Sequence, residues 1–419
     1  MAESKGKIHY GCFIVATFCV VALTAVSFAI SCGGVFFPAT AETFGTTTGT
    51  MSYFMTVEWI SVLISLPILG KVFDRLDIRV LESIGALLTA LALVLQSITQ
   101  EAWQYMLCGI PMGVSLTICL FLAPTAIINR WFKKRAGLCV GIAMSCSGIG
   151  GAIFSALAGT LVLQVGWRPT LLIYAAITLV CCLPLTILVL RGNPSDKGLA
   201  PYGADEVTPS IEKLAAEIES EGMTAKEAFR APTFLLIAVF AFGINFSMYI
   251  YQLMASYIVA QPIGEVMPTL GSLVMAVAMA AQCVGKICFG GIGDKKPLLA
   301  VVIGIVCGFA GLLLLFLGKS SAVMLFAAAL LFGLFYSLSN AIMPILTRKF
   351  YGMREYPAIY SRISMAAALG PTLSSFVLGT VANMCGWDAT FVFVAVCIAV
   401  ALVAVIAAFR AYEAVKKAR

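Results

Sequence analysis

Lys286 lies inside the run Gly271 to Lys296, GSLVMAVAMAAQCVGKICFGGIGDKK, whose residues are mostly apolar or small until Asp294, Lys295 and Lys296. Eight helical residues at ~1.5 Å rise place Lys286 about 12 Å inward from Asp294. In a hydrocarbon core of ~30 Å that is close to the midplane. A lysine at such a depth costs roughly 2.5 to 3.5 kcal/mol on insertion scales and marks a substrate or ion path. Gln282 stands one turn away on the same face, so the two side chains can share one ligand. Asn245, Tyr249 and Gln252 form a stripe on a second apolar run, Tyr336 and Asn340 are one turn apart on a third, and Ser27 and Ser31 do the same on a fourth. Together they describe a polar cavity. The alternative for each amide or hydroxyl is a hydrogen bond that bridges helices, worth about 0.6 kcal/mol in a membrane. Glu58 is the other buried ionisable group, about 10 Å from the outer end of its run. It is a candidate proton carrier, or else a carboxylate that bridges helices or snorkels to the surface.

The elements that must hold these residues are transmembrane helices. The chain has 419 residues, 61% hydrophobic and 11% charged, with a mean hydropathy of +1.00, whereas soluble domains are about a quarter charged. The apolar runs continue over 20 residues and more, unlike the ~10-residue alternation of barrel strands. The run 10–37 exceeds the ~7 to 15 residues of a signal-peptide core, so no cleaved signal is expected. The net charge of +7 does not point to nucleic acid, because apart from Arg168, Lys286, Lys319 and Arg362 the cations fall in alternate connections and the two tails. Those segments are therefore cytoplasmic. Most of the fourteen cysteines sit inside apolar runs and read as small packing residues rather than a disulfide framework.

Twelve runs are long enough to span: 10–37, 51–71, 80–99, 102–129, 137–163 and 168–190, then 232–260, 268–292, 297–317, 322–347, 357–383 and 388–409. The expected architecture is an all-α integral membrane protein with both termini cytoplasmic, divided into an N-terminal six-helix half (1–190), a cytoplasmic linker (191–230) and a C-terminal six-helix half (231–419). Within the linker, Ile211 to Arg230 reads as a short amphipathic helix with Thr224 as a cap, and the segment as a solvated tether.

Internal repetition supports the division. Gly70-Lys-Val-Phe-Asp74-Arg75 is matched by Gly290-Gly-Ile-Gly-Asp294-Lys295, and Val165-Gly-Trp-Arg-Pro-Thr170 by Cys385-Gly-Trp-Asp-Ala-Thr390, each pair 220 positions apart. Asn129-Arg-Trp-Phe132 is matched more loosely by Thr347-Arg-Lys-Phe350, at 218. These are parallel repeats with a site between them, the plan of alternating-access transporters.

On these motifs the chain resembles the major facilitator superfamily over its whole length. The two G-x-x-x-D-R/K loops are similar to that superfamily's signature cytoplasmic loop, with Asp77 where glycine is usual. The resemblance implies a cytoplasmic gate in which Asp74 pairs with cationic groups at a neighbouring helix end, Arg75 and Arg79 bind carboxylates or helix C-termini, and Asp294, Arg130 and Arg362 take part. Asn129 to Gly141 (NRWFKKRAGLCVG) and Ala228 to Phe234 (AFRAPTF) resemble the oxalate/formate antiporter and monocarboxylate porter relatives. Those relatives often carry an arginine eight residues before the loop aspartate, where it meets the substrate carboxylate; Lys286 stands at that spacing, keeping the charge without the bidentate fork. A second cation of span eleven is not matched, since Arg362 lies only about 8 Å deep and reads equally as an interfacial cation for lipid phosphate. Gly370-Pro371 has no counterpart in span five, so the Gly-Pro motif of drug exporters is not read here. Small residues crowd spans five and eleven (Gly137, Gly141, Gly148, Gly150, Gly151, Gly159, Gly370, Gly379), as close helix approach requires.

The sequence thus points to a secondary transporter that moves a small organic anion, a mono- or dicarboxylate, across the plasma (inner) membrane by alternating access, by proton coupling or anion exchange. Its expected partners are that anion, protons and the lipid bilayer, with no nucleic acid, and it is expected to act as a monomer without cofactor or metal. The substrate site would comprise Lys286, Gln282, Asn245, Tyr249, Tyr336 and Asn340. The alternative is a transporter or exporter of an uncharged or cationic metabolite with Glu58 as coupling group. A membrane enzyme would need a catalytic constellation, yet His9 is the only histidine, at the membrane edge, and neither H-E-x-x-H nor G-x-S-x-G occurs.

Overall fold

The computed structural model describes residues 9–203 and 222–418, with the side chains of Val72, Asp74, Asn340, Pro357 and residues 415–418 outside that description. Apolar runs become helices because only a fully hydrogen-bonded backbone is stable in lipid. Ten such helices are α1 (Gly11–Thr43), α2 (Thr48–Lys71), α3 (Ile78–Ile98), α4 (Ala102–Trp131), α5 (Ala136–Val165), α6 (Trp167–Leu188), α7 (Pro232–Val259), α8 (Leu270–Lys295), α9 (Pro297–Leu317) and α10 (Ala322–Tyr351). The last, α11 (Tyr356–Ala418), has 63 residues, three times what a ~20-residue crossing needs. It breaks at Gly386, whose φ of 82° no helix tolerates, into arms 356–385 and 387–418. Gly166 divides α5 from α6 with a φ of 88°, 220 positions earlier and likewise followed by tryptophan.

Two ends of the bundle can be distinguished by their connections. At the linker end lie the α2–α3, α4–α5, α8–α9 and α10–α11 turns; the distal end carries the remaining turns and both glycine breaks. The linker is tied at equivalent places: the Tyr202 amide donates to the Trp131 carbonyl at 2.8 Å and the Met223 amide to the Tyr351 carbonyl at 2.8 Å. Thr224 caps the short helix Ala225–Arg230 reciprocally with Glu227, as its position suggests; the helix expected upstream, 211–221, lies outside the described residues.

The helices before the linker pack on one another, α3 against α4 and α6, α2 against α4, and α1 against α5; those after it pair α7 with α11 and α10 with α8 and α9. The two sets meet along α5 with α8, α2 with the first arm of α11, and α1 with α7. These seams are tight only toward the distal end. A methyl group at Gly159 would overlap Ser272 Oγ, one at Gly49 would overlap the Gly379 carbonyl, and one at Gly148 would sit 2.5 Å from Cys283 Sγ. Toward the linker end, Gly70, Gly137, Gly141 and Gly290 have nothing within 4 Å of where a Cβ would stand.

Candidate functional site

The face that α8 turns to α5 carries Ser272, Met279 and Cys283, which touch Gly159, Gly151 and Gly148. Lys286 is three residues beyond Cys283, between that contact and the open position at Gly290. The Cys283 thiol donates to the Ser145 carbonyl at 3.4 Å, which fixes the seam one turn before Lys286. Lys286 itself is half-buried and, among the described residues, has no ion pair or hydrogen bond. A cation held out of bulk water without a counter-charge is a standing attraction for an anion. Gln282 is buried beside it and meets the Tyr336 side chain. Tyr336 packs against Tyr251 with ring centroids 5.8 Å apart, and the Tyr251 hydroxyl donates to the Ser31 carbonyl at 3.2 Å. A polar path therefore runs from α8 through α10 and α7 to α1.

Apart from Asn340, whose side chain lies outside the described residues, the other amides predicted for this cavity are committed to bridging. Asn245 donates to its own helix at Ala241 and accepts from Ser339 of α10 at 2.7 Å. Gln252 donates to the Ile30 carbonyl of α1, and Ser27 donates to the Ser147 carbonyl of α5 at 2.8 Å. Tyr249 donates to Met55 Sδ at 2.9 Å and accepts from Trp59 Nε1 at 3.2 Å, both on α2. Glu58, between those two residues, is 1% exposed, and its Oε1 has no partner. It lies close enough to Tyr249 and Tyr105 to act on both electrostatically.

At the linker end, Arg75, Asp77, Arg79, Arg130, Arg191 and Asp196 line a cavity of about 490 Å³. Arg79, expected to bind carboxylates or helix C-termini, pairs with the Asp77 carboxylate at 2.7 Å; Asp77 is the N-cap of α3 and also accepts the Arg79 amide. The guanidinium holds the Asp77 carboxyl below the usual carboxylate range. Arg130 lies over the Phe73 ring at 6.0 Å. Asp294 pairs with Arg348 of α10 at 3.3 Å. Arg362, read from sequence as a gate residue or lipid anchor, stacks at 4.5 Å on Phe229 of the short linker helix, since α11 runs beside that helix.

Sequence reasoning passed over Glu82. It is 0% exposed, and both carboxylate oxygens lack a partner. Its stripe on α3, with Gly85, Ala86 and Thr89 at helical spacing, was the available signal: small and polar residues in a row face protein, not lipid.

A family model described as the Major Facilitator Superfamily matches residues 18–318 and 254–419. The chain belongs to the Major Facilitator Superfamily. Among curated superfamily proteins, it is 25% identical to "Monocarboxylate transporter 12" of Xenopus laevis over 394 residues, 90% of this chain and 83% of that one. It is also 25% identical to an "MFS-type transporter" of Gibberella moniliformis, over 79% of this chain and 76% of that one. Solved structures share the fold: the nucleoside transporter NupG has a TM-score of 0.70 at 14% identity, over 97% of this chain and 98% of that one. A bacterial homolog of the human lysosomal transporter Spinster, inward-facing and unoccupied, has a TM-score of 0.70 at 15% identity over 99% of each chain. The protein is thus a multi-pass membrane transporter of this superfamily, not an enzyme.

Proposed function

We propose that this transporter carries a small organic anion, a mono- or dicarboxylate, with Lys286 as the attracting charge. The observation that carries this reading is Lys286 itself, unpaired among the described residues at the level where the α5–α8 seam opens. The monocarboxylate transporter relatives support it. In this reading the halves 1–190 and 231–419 are six-helix repeats, each arm of α11 is a crossing, and the linker 191–230 and both termini face the cytoplasm of a plasma membrane. The open linker end then makes this an inward-open state, in line with the inward-facing Spinster homolog. The anion reaches Lys286 from the cytoplasm, with Gln282 and Tyr336 supplying hydrogen bonds, and its charge lets the seam close behind it. Return follows either with a proton or in exchange for another anion, and one chain suffices.

Counterflow in proteoliposomes tests this. Vesicles loaded with unlabelled carboxylates should draw in labelled tracer, and Lys286→Gln should lose that uptake by about 30-fold or more, the cost of a buried charged contact. Inert carboxylates, or a Lys286→Gln protein that transports normally, would defeat the anion reading. A second reading, an uncharged or cationic substrate coupled through Glu58, is favoured by its unpartnered oxygen between α2 and Tyr249. It requires Glu58→Gln, rather than Lys286→Gln, to abolish flux.

A further inference from the structure

Glu82 sits five residues past the Asp77 cap, about 7 Å along the helix from the linker-end surface. Its surroundings are polar but already paired. Ser83 bonds Thr186 at 2.8 Å, Thr89 bonds Ser115 at 2.6 Å, Ser115 donates to the Gly85 carbonyl at 2.7 Å, Ser65 bonds Thr117 at 2.6 Å, and Thr24 lies 3.1 Å from Cys182 Sγ. These bonds fasten α3 to α4 and α6, α2 to α4, and α1 to α6, and leave the carboxyl alone. The titratable groups that face it are Cys119 of α4 and Cys182 of α6; α1 contributes Thr24 through Cys182, and no cation is among them. By geometry neither carboxylate oxygen has a partner, while Cys119 lies near enough to act on it as a weak donor.

Two irregular turns flank the same place, the π-helical segments Ala22–Val26 of α1 and Thr117–Leu122 of α4. A methyl at Gly85 would stand 2.5 Å from Cys119 Sγ, so the α4 segment presses directly on α3. Single π turns in long helices concentrate at functional sites, and they carry slack that a regular helix lacks. An ionised carboxylate here has no counter-charge and only a weak thiol donor beside it, whereas the neutral acid costs less at a site 0% exposed.

We propose that Glu82 is a proton-binding site served from the linker side, apart from Lys286 and Glu58. With its proton bound, α1, α3, α4 and α6 pack as seen. When the carboxyl gives that proton to water at the linker end, the carboxylate left behind must be hydrated, and the two π turns supply the give. The first bundle therefore loosens as the pH on that side rises, whatever the transported substrate.

Infrared difference spectra and thiol labelling test this without a substrate. Acid-minus-alkaline spectra of the purified protein should contain the C=O band of an unbonded carboxylic acid that Glu82→Gln removes and Glu58→Gln retains. Labelling of Cys119 and Cys182 by a membrane-permeant maleimide, read by mass spectrometry, should accelerate in wild type relative to Glu82→Gln. The excess should grow about tenfold for each pH unit on the acid side of the transition and level off above it, as release of one proton requires. Loss of the Glu82 charge by itself favours both thiolates in Glu82→Gln, so an excess in wild type runs against that bias. Equal labelling in both proteins, or a spectrum that Glu82→Gln leaves unchanged at every pH, would overturn the proposal; so would a band that follows sodium or potassium rather than pH. If Glu82→Gln does not fold, Glu82→Asp should shift the band rather than delete it, and an unshifted band refutes the assignment.

Discussion

The two ends of the α5–α8 seam use the same small residues to opposite effect. At the distal end Gly159 opposes Ser272 and Gly148 opposes Cys283, eleven residues apart on each antiparallel helix, in full contact. Seven residues further toward the linker end the same register sets Gly141 opposite Gly290, and nothing lies within 4 Å of either. A glycine pair in register has value only where backbones touch. In the proposed cycle the empty pair meets in a second arrangement, in which the linker end closes and the distal end parts. Rigid-body rocking between two such packings is a known repertoire for transporters of this plan, and Lys286 lies at the level where the seam changes character.

That comparison can be broken by filling one end at a time. Gly159→Leu should cost this conformation about 1 to 3 kcal/mol through overpacking, seen as a fall in the thermal midpoint of the purified protein; an unchanged midpoint would mean the distal seam is looser than its geometry. Gly141→Leu should leave that midpoint unchanged yet cut flux, by about tenfold if it disfavours the closed linker end by ~1.4 kcal/mol. Normal flux in Gly141→Leu would deny that the register is ever used there. A smaller effect should come from the Asp77 cap. Its carboxyl is held low by Arg79, so its stabilisation is complete above the ordinary carboxylate range and disappears as the pH falls below roughly 4. Protection of the first-turn amides of α3, corrected for the intrinsic pH dependence of exchange, should fall there, and in Asp77→Ala it should be low at all pH values. The smallest effect is expected at the distal surface, where Lys319 pairs with Asp388 at 2.8 Å while both remain exposed. Asp388→Ala should change stability by less than about 1 kcal/mol. The equivalent Arg168 donates to the Ser97 and Thr99 carbonyls, and Arg168→Ala should cost more because those carbonyls lose their partner.

The helices were legible because lipid imposes length and hydropathy directly on the sequence, and Pro297 and Leu317 bound α9 as the apolar run suggests. The pairing of two glycine turns was legible as well: the glycines at 166 and 386 share one left-handed conformation because both turn the chain at the distal end. The site was legible in part. Depth marks Lys286, but whether an amide binds a ligand or bridges helices depends on what a distant helix places beside it. Asn245 meets Ser339, and Tyr249 meets Met55 and Trp59, partners that no spacing within one helix reveals. Glu82 was hidden by its shallow position, which on a lipid-facing stripe would have been an ordinary snorkelling carboxylate.

The thiol of Cys283, half-buried against Ser145 and three residues before Lys286, has a practical consequence. It is a native chemical reporter at the boundary between the packed and open parts of the seam. A water-soluble alkylating reagent supplied at the linker end should modify it in step with opening, and a carboxylate bound at Lys286 should shield it. The occupancy of the central charge can therefore be followed by the mass of one cysteine-bearing peptide, with no label added to the protein.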